Sequence, residues 1–258
     1  MRTLEKYLNK QLKEISRLLQ KPLHLYSLST YHDLRTSCKK CRSVCTLLES
    51  SFKEFNTARV FKSLDPIFSA AGEIREIQLE EVRLRIYFKN KRLPKYQNQL
   101  NKRKENAFKR FKKIIEDLDL KFLKEAKKYL HSYSHKVTAH DIKQFSAKCE
   151  NGIEKIISED FTENKNIHEL RKSFKHLLYL EKCTAVKSNS FPGRIKTISE
   201  LLGKWHDCRV IIKQLGKINL GKFKSAEKLL VEKLKLRLFS QETILLSKSA
   251  AKLSNYYA

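Results

Sequence analysis

Apolar residues recur every three or four positions along most of this chain. Leu4, Leu8, Leu12, Ile15 and Leu19 open it, and that spacing predicts a helix over about Thr3–Leu19, ended by Pro22. Ser29 or Thr30 is placed to cap the next helix. A third stretch runs from about Thr57 to Phe88, with a break expected near Pro66 or Gly72. Pro94 interrupts the pattern again before Phe108, Phe111, Ile114 and Ile115 resume it, and a further helix fits Leu118 to Leu130. Thr138 with Asp141 forms a capping-box start for a helix to about Ile157. Asn166 or Thr162 begins the next, Gly193 marks the loop before another, and Gly216 and Gly221 precede a last helix reaching about Leu253. No stretch alternates as a strand would, and 6 Gly and 4 Pro are few for a turn-rich β protein. The expectation is all-α, with about eight to ten helices.

The pattern also repeats on a larger scale. YHDLRTSCKK at Tyr31 and IHELRKSFKH at Ile167 share His-[Asp/Glu]-Leu-Arg-x-x-x-Lys, 136 residues apart. AAGEIREIQL around Gly72 and LLGKWHDCRV around Gly203 form a second pair, 131 residues apart. Two motifs in the same order at nearly the same offset divide the chain into related halves, about 1–134 and 135–258, of one domain. Function is expected where the halves meet.

On a helix turning about 100° per residue, Arg171, Lys172, Lys175 and Tyr179 return to the face of His168, within about 60° either side. Leu170, Phe174 and Leu177 fall opposite, toward a core. In the first copy His32, Arg35 and Lys39 take the corresponding angles, Lys40 and Arg42 lie at the edges, and Leu34 and Cys38 face inward. Stability alone does not ask for His, Arg and Lys at the same angles twice. In the glycine motifs, Gly72 and Gly203 allow close helix approach or a bend, and Glu76 and Asp207 are placed to orient the cations. Arg75 and His206 occupy equivalent positions that extend the basic surface.

Charge sharpens the picture. Lys and Arg number 55 against 28 Asp and Glu, a net +27, and self-repulsion of that size calls for an anionic partner. Nucleic acid, an anionic membrane, heparin-like sugars and inorganic phosphate chains all qualify. Phosphate suits the repeated set: Arg offers a fork to its oxygens, Lys a mobile point charge, and His a donor that gains charge beside an anion. The stretch Lys89–Lys113 holds eleven Lys or Arg and one acid, which would serve nucleic acid equally well. No RNA-recognition, KH or zinc-finger signature accompanies it.

The remaining chemistry is sparse. Cys38, Cys41 and Cys45 form a helical stripe, but the partner cluster that zinc spacing demands is absent, so the six cysteines are read as reduced core thiols. His131, His135 and His140 have no acid at metal-ligand spacing. No Walker loop, acidic metal cluster or nucleophile–base pair is present, so neither an enzyme nor a cofactor is expected. The start MRTLEKYLNKQLKEI lacks an apolar signal region, and no segment approaches a membrane span. A soluble protein of a reducing compartment, the cytoplasm, is expected.

At these motifs the chain resembles the CHAD family, the histidine-containing α-helical domain. The residues that carry the resemblance are HDLRTSCKK, AGEIRE, IHELRKSFKHLLY and LLGKWHD, in that order. It departs at Ala71 and Glu76, where the family favours Leu and Asp, and at Leu178, where Arg is frequent. The resemblance implies two antiparallel helical bundles related by a pseudo-twofold axis and enclosing a basic groove or pore. It also implies non-catalytic binding of inorganic polyphosphate, with polyphosphate granules or a partner enzyme of phosphate metabolism as the setting. On that reading His32, Arg35, Lys39, His168, Arg171, Lys172 and Lys175 contact phosphate, joined by Lys40, Arg42, Arg75, Tyr179 and His206. General nucleic-acid binding is the alternative.

Overall fold

The computed structural model describes residues 2–88, 93–159, 164–184 and 195–254. They form ten α-helices: α1 (Arg2–Leu19), α2 (Leu28–Ser51), α3 (Thr57–Phe61), α4 (Leu64–Phe88), α5 (Pro94–Glu116), α6 (Lys121–Ser134), α7 (Ala139–Glu159), α8 (Asn164–Thr184), α9 (Ile195–Gly216) and α10 (Ser225–Ser254). Among the described residues there is no strand, and no helix is long and apolar enough to cross a membrane.

Several boundaries follow local chemistry. The cap of α2 is Ser27, two residues before the expected position, and Thr30 closes its capping box from the third helical turn position. The break expected near Pro66 or Gly72 falls just before Pro66: the stretch 57–88 is two helices, α3 and α4, parted at residues 62–63, and Pro66 sits in the first turn of α4 where its missing N–H costs nothing. Gly72 lies inside α4 without breaking it. Pro94 occupies the first turn of α5 rather than ending a helix. Thr138 and Asp141 form the expected box at the head of α7: the Thr138 N–H donates to Asp141 at 2.8 Å, and the Asp141 N–H returns to Thr138 Oγ1 at 3.2 Å. Thr162, Gly193 and the start of the basic stretch, Lys89, Lys91 and Arg92, lie outside the described residues.

The packing order repeats. α1 packs on α2 as α7 packs on α8; α2 packs on α4 as α8 packs on α9; α4 packs on α5 as α9 packs on α10. Contacts between the two sets run α2 to α8, α4 to α9, α1 to α8 and α2 to α7. The α2–α8 contact includes a polar link: Ser43 on α2 shares a 2.9 Å hydrogen bond with Nδ1 of the largely buried His176 on α8. Leu34, Leu170, Phe174 and Leu177 are buried as their wheel positions require. All six cysteines are free and buried.

The basic stretch turns out to be a seam between helices. Arg103, Lys104 and Arg110 of α5 pair with Glu80, Glu81 and Glu73 of α4 at 3.0, 2.9 and 2.6 Å. Lys109 and Lys112 pair along α5 with Glu105 and Glu116. Glu80 is fully buried, takes both Arg103 nitrogens and accepts from the Tyr96 hydroxyl. Five cations that looked available to a polyanion are thus engaged with carboxylates. Replacing Glu80 with Ala leaves the buried Tyr96 hydroxyl without its acceptor and takes from Arg103 its carboxylate partner, and should cost about 2–4 kcal/mol in urea unfolding. The exposed Lys104–Glu81 pair should lose less than about 1 kcal/mol on Lys104→Ala.

Candidate anion-binding site

Both His-motif helices and both glycine-motif helices meet at one place. α2 lies against α4 and α8, α8 against α9, and α4 against α9. At this junction Lys39 of α2 is the electrostatic neighbour of Arg35, Arg171 and Lys175, and burial, reinforced by those three cations, pushes its ammonium down to about 8. His206 of α9 feels burial first, then Arg171, His168, Lys39 and Arg35, and is pushed down to about 3. The His168 and His206 rings stand 5.9 Å apart between centroids. Burial also lowers His168, with Lys172 and Arg171 adding to the effect, and lowers His32, with Arg75 adding. At pH 7 these shifts favour the neutral form of the three histidines, of His206 most strongly.

One acid lies within the cluster. Burial raises Asp207 against the opposing pull of Arg171, Arg75, Arg83 and Lys39. Of the motif acids, Glu76 is the leading favourable charge for Arg35, and Asp207 for Arg171, though neither bonds its arginine directly. Yet among the described residues Arg35, Lys39, Arg171 and Lys175 form no ion pair, whereas Arg42 and Lys172 do.

The two arginines are held differently. Arg35 Nη1 donates to the Phe68 carbonyl of α4, and the guanidinium lies 4.0 Å over the Phe68 ring. Gly72 makes the room: a Cβ there would stand 2.9 Å from Arg35 Cζ. Glu76 is fixed by Gln214 of α9 at 2.6 Å, and Gln214 in turn accepts from Arg103 at 3.0 Å. In the other half, Arg171 Nε is buried with no hydrogen-bond partner. A Cβ on Gly203 would meet nothing within 4 Å, so close approach is not what this glycine provides. The first arginine is built into the helix contact, and the second has a donor to spare.

The other expected contacts are placed as follows. His32 is exposed, its Nε2 3.5 Å from Thr36, with Arg75 as its leading cationic neighbour. Tyr179 is buried beside Arg171. Lys172 adjoins His168 but pairs with Glu169 at 2.9 Å. Arg42 is bound to Asp65 and lies 4.2 Å over the Phe61 ring. Lys40 lines a separate open cleft of about 790 Å³ between α1 and α2, with Lys10 and Arg17. Sequence reasoning missed Lys182 and Arg83, which act on Lys175 and Asp207. Each lies seven residues after a motif residue, Lys175 and Glu76, so extending the wheel by two turns would have found them. Among the described residues no group of three or more His, Cys, Asp or Glu is arranged to hold a metal. His131 instead meets Glu5 at 3.1 Å, and His135 Nδ1 bonds the His131 carbonyl.

The CHAD domain model matches residues 6–216. The chain belongs to the CHAD family. Its fold is similar to the crystal structure of the CHAD domain from the plant Ricinus communis, with a TM-score of 0.75 at 14% identity, over 100% of this chain and 91% of that one. No curated protein matches it. The CHAD match takes in α2, α4, α8 and α9, the helices that build the cationic junction, and ends before α10.

The unequal glycines give a direct test. Gly203→Ala should stabilise the protein by about 0.5–1 kcal/mol, because helix propensity improves and nothing is displaced. Gly72→Ala should gain nothing, since the new methyl drives Arg35 from Phe68. Equal denaturation midpoints for the two variants would contradict this packing.

Proposed function

We propose that this protein binds inorganic polyphosphate without altering it, at the junction of α2, α8 and α9. The observation that carries the reading is the set Arg35, Lys39, Arg171 and Lys175, cations gathered in a largely buried place without ion pairs. Gathering like charges out of water is unfavourable unless a counter-charge completes the site. A chain of closely spaced phosphates supplies several at once, to an array that helices hold at fixed spacing. Membership of the CHAD family supports the same reading. The repeated packing order supports a single domain whose halves, about 1–134 and 135–258, are related by a pseudo-twofold axis passing between α2 and α8. Arg171, with its free Nε, is the principal phosphate contact on this reading, followed by Lys39, Lys175, His168 and His206. Arg35 acts more as scaffold. We place the protein in the cytoplasm, where polyphosphate granules would concentrate it. General nucleic-acid binding is the weaker reading, because the α5 cations that would serve it are paired with α4.

Arg171→Gln and Lys39→Gln should each weaken binding of labelled long-chain polyphosphate about 10- to 100-fold, the range for losing a charged hydrogen bond. The double charge reversal Lys124→Glu with Lys127→Glu, on the exposed face of α6, should change it less than threefold. Arg103 and Lys104 are unsuitable controls, since they hold α5 to α4. Equal damage from the α6 variant would defeat the proposed site. Ready displacement of polyphosphate by RNA at equal charge would favour nucleic acid.

Binding should also depend on pH with a definite sign. Bound phosphate favours the charged ammonium, so the complex holds Lys39 protonated at a pH where the free site, near 8, is releasing it. Affinity should therefore fall as pH rises from about 7.5 to 9.5. That fall should shrink in Lys39→Gln. Titration calorimetry in buffers of different ionisation enthalpy should show proton uptake in the wild type.

A further inference from the structure

Six of the nine large apolar side chains that the described residues leave exposed sit on two neighbouring stretches, the C-terminal half of α4 and α10. Val82 and Ile86 are on the first; Leu229, Leu236, Phe239 and Ile244, 40–66% exposed, are on the second. α10 also buries Val231, Leu234, Leu238 and Leu245 on its inner side. Between and beside these exposed apolar residues stand Lys228, Lys233, Lys235 and Arg237, so the outer side of α10 is apolar and cationic together. α10 lies beyond the residues the CHAD model matches, whereas α4 lies within them.

Between α4 and α10 runs a groove of about 330 Å³. Of the six exposed apolar residues, Ile86 and Ile244 line it, and Arg83 and Arg237 are the charged residues of its wall, with no carboxylate among the lining residues. Arg237 lies 5.1 Å over the Tyr87 ring, which holds its guanidinium at the rim.

We propose that this groove binds an acidic amphipathic helix of another protein. Its apolar side chains would fill the groove between Ile86 and Ile244, and its Asp and Glu residues would meet Arg83 and Arg237. Charge decides against a second copy of this chain: self-association would press two arginine-rimmed surfaces together in a protein already at +27. Concavity decides against a membrane, which a convex apolar face would serve better. The arrangement is the helix-in-groove mode, with apolar anchors giving affinity and flanking charge giving choice of partner.

The test uses a fluorescent 20-residue peptide with Leu at helical spacing and Glu between, and a shuffled peptide of identical composition. Anisotropy is read at physiological salt with the whole protein, with and without excess polyphosphate. The amphipathic peptide should bind at least tenfold tighter than the shuffled one, and polyphosphate should leave that preference intact. Ile86→Asn with Ile244→Asn, at sites 62% and 53% exposed, should lower amphipathic-peptide affinity at least tenfold while keeping the helical signal. Equal binding of the two peptides, or unchanged binding by the double variant, overturns the proposal. So does a wild-type dimer in sedimentation velocity that the double variant dissolves, or flotation with phosphatidylserine vesicles that the double variant abolishes.

Discussion

Arg35, Lys39 and Arg171 come together between α2 and α8 without forming an ion pair, and that crowding of one sign of charge governs the architecture around it. Its cost is visible in Lys39, whose ammonium is pushed down to about 8. It is visible again in the neutral state forced on His206. The surrounding helices offset the cost with weaker means: a backbone carbonyl and an aromatic face for Arg35, and the nearby carboxylates Glu76 and Asp207. None of these neutralises the cluster. A junction that stays positive at its centre needs rigid support outside, and the seam from α5 to α4 provides it.

That seam changes the meaning of net charge. The same excess of Lys and Arg is divided between two tasks. On α5 the cations close against Glu73, Glu80 and Glu81 and bind helix to helix. On α2 and α8, Arg35, Lys39, Arg171 and Lys175 form no ion pair among the described residues, while Arg42 and Lys172 do. Gln214 joins the two regions, touching Arg103 on one side and Glu76 on the other. The seam is thus tied by hydrogen bonds across α4, α5 and α9 to Glu76, the leading favourable charge for Arg35.

Much of this was legible in the sequence. The repeated motif fixed the two His helices, their buried faces and the meeting of Arg35, Lys39, Arg171 and Lys175, because a period of 3.6 residues determines which side chains share a face. What a wheel cannot hold is the neighbour across the interface. Arg42 and Lys172 had suitable angles but found carboxylates, one on another helix and one on their own. Lys40 turned toward α1. The basic run of α5 read as free surface because its acidic partners lie more than twenty residues earlier in the chain. The inequality of Gly72 and Gly203 was equally hidden, since it depends on where two arginine side chains of unequal surroundings come to rest.

The cysteines give the molecule one more property. All six thiols are buried, and burial raises every one of them above its ordinary value. Cys38, Cys41 and Cys45 lie on α2, the helix that also carries His32 and Lys39; Cys149, Cys183 and Cys208 sit on α7, α8 and α9. A thiol reagent can reach them only when a helix lifts from the core. The chain thus carries its own record of opening, with three marks on the helix that bears half of the cationic cluster and one each on α7, α8 and α9.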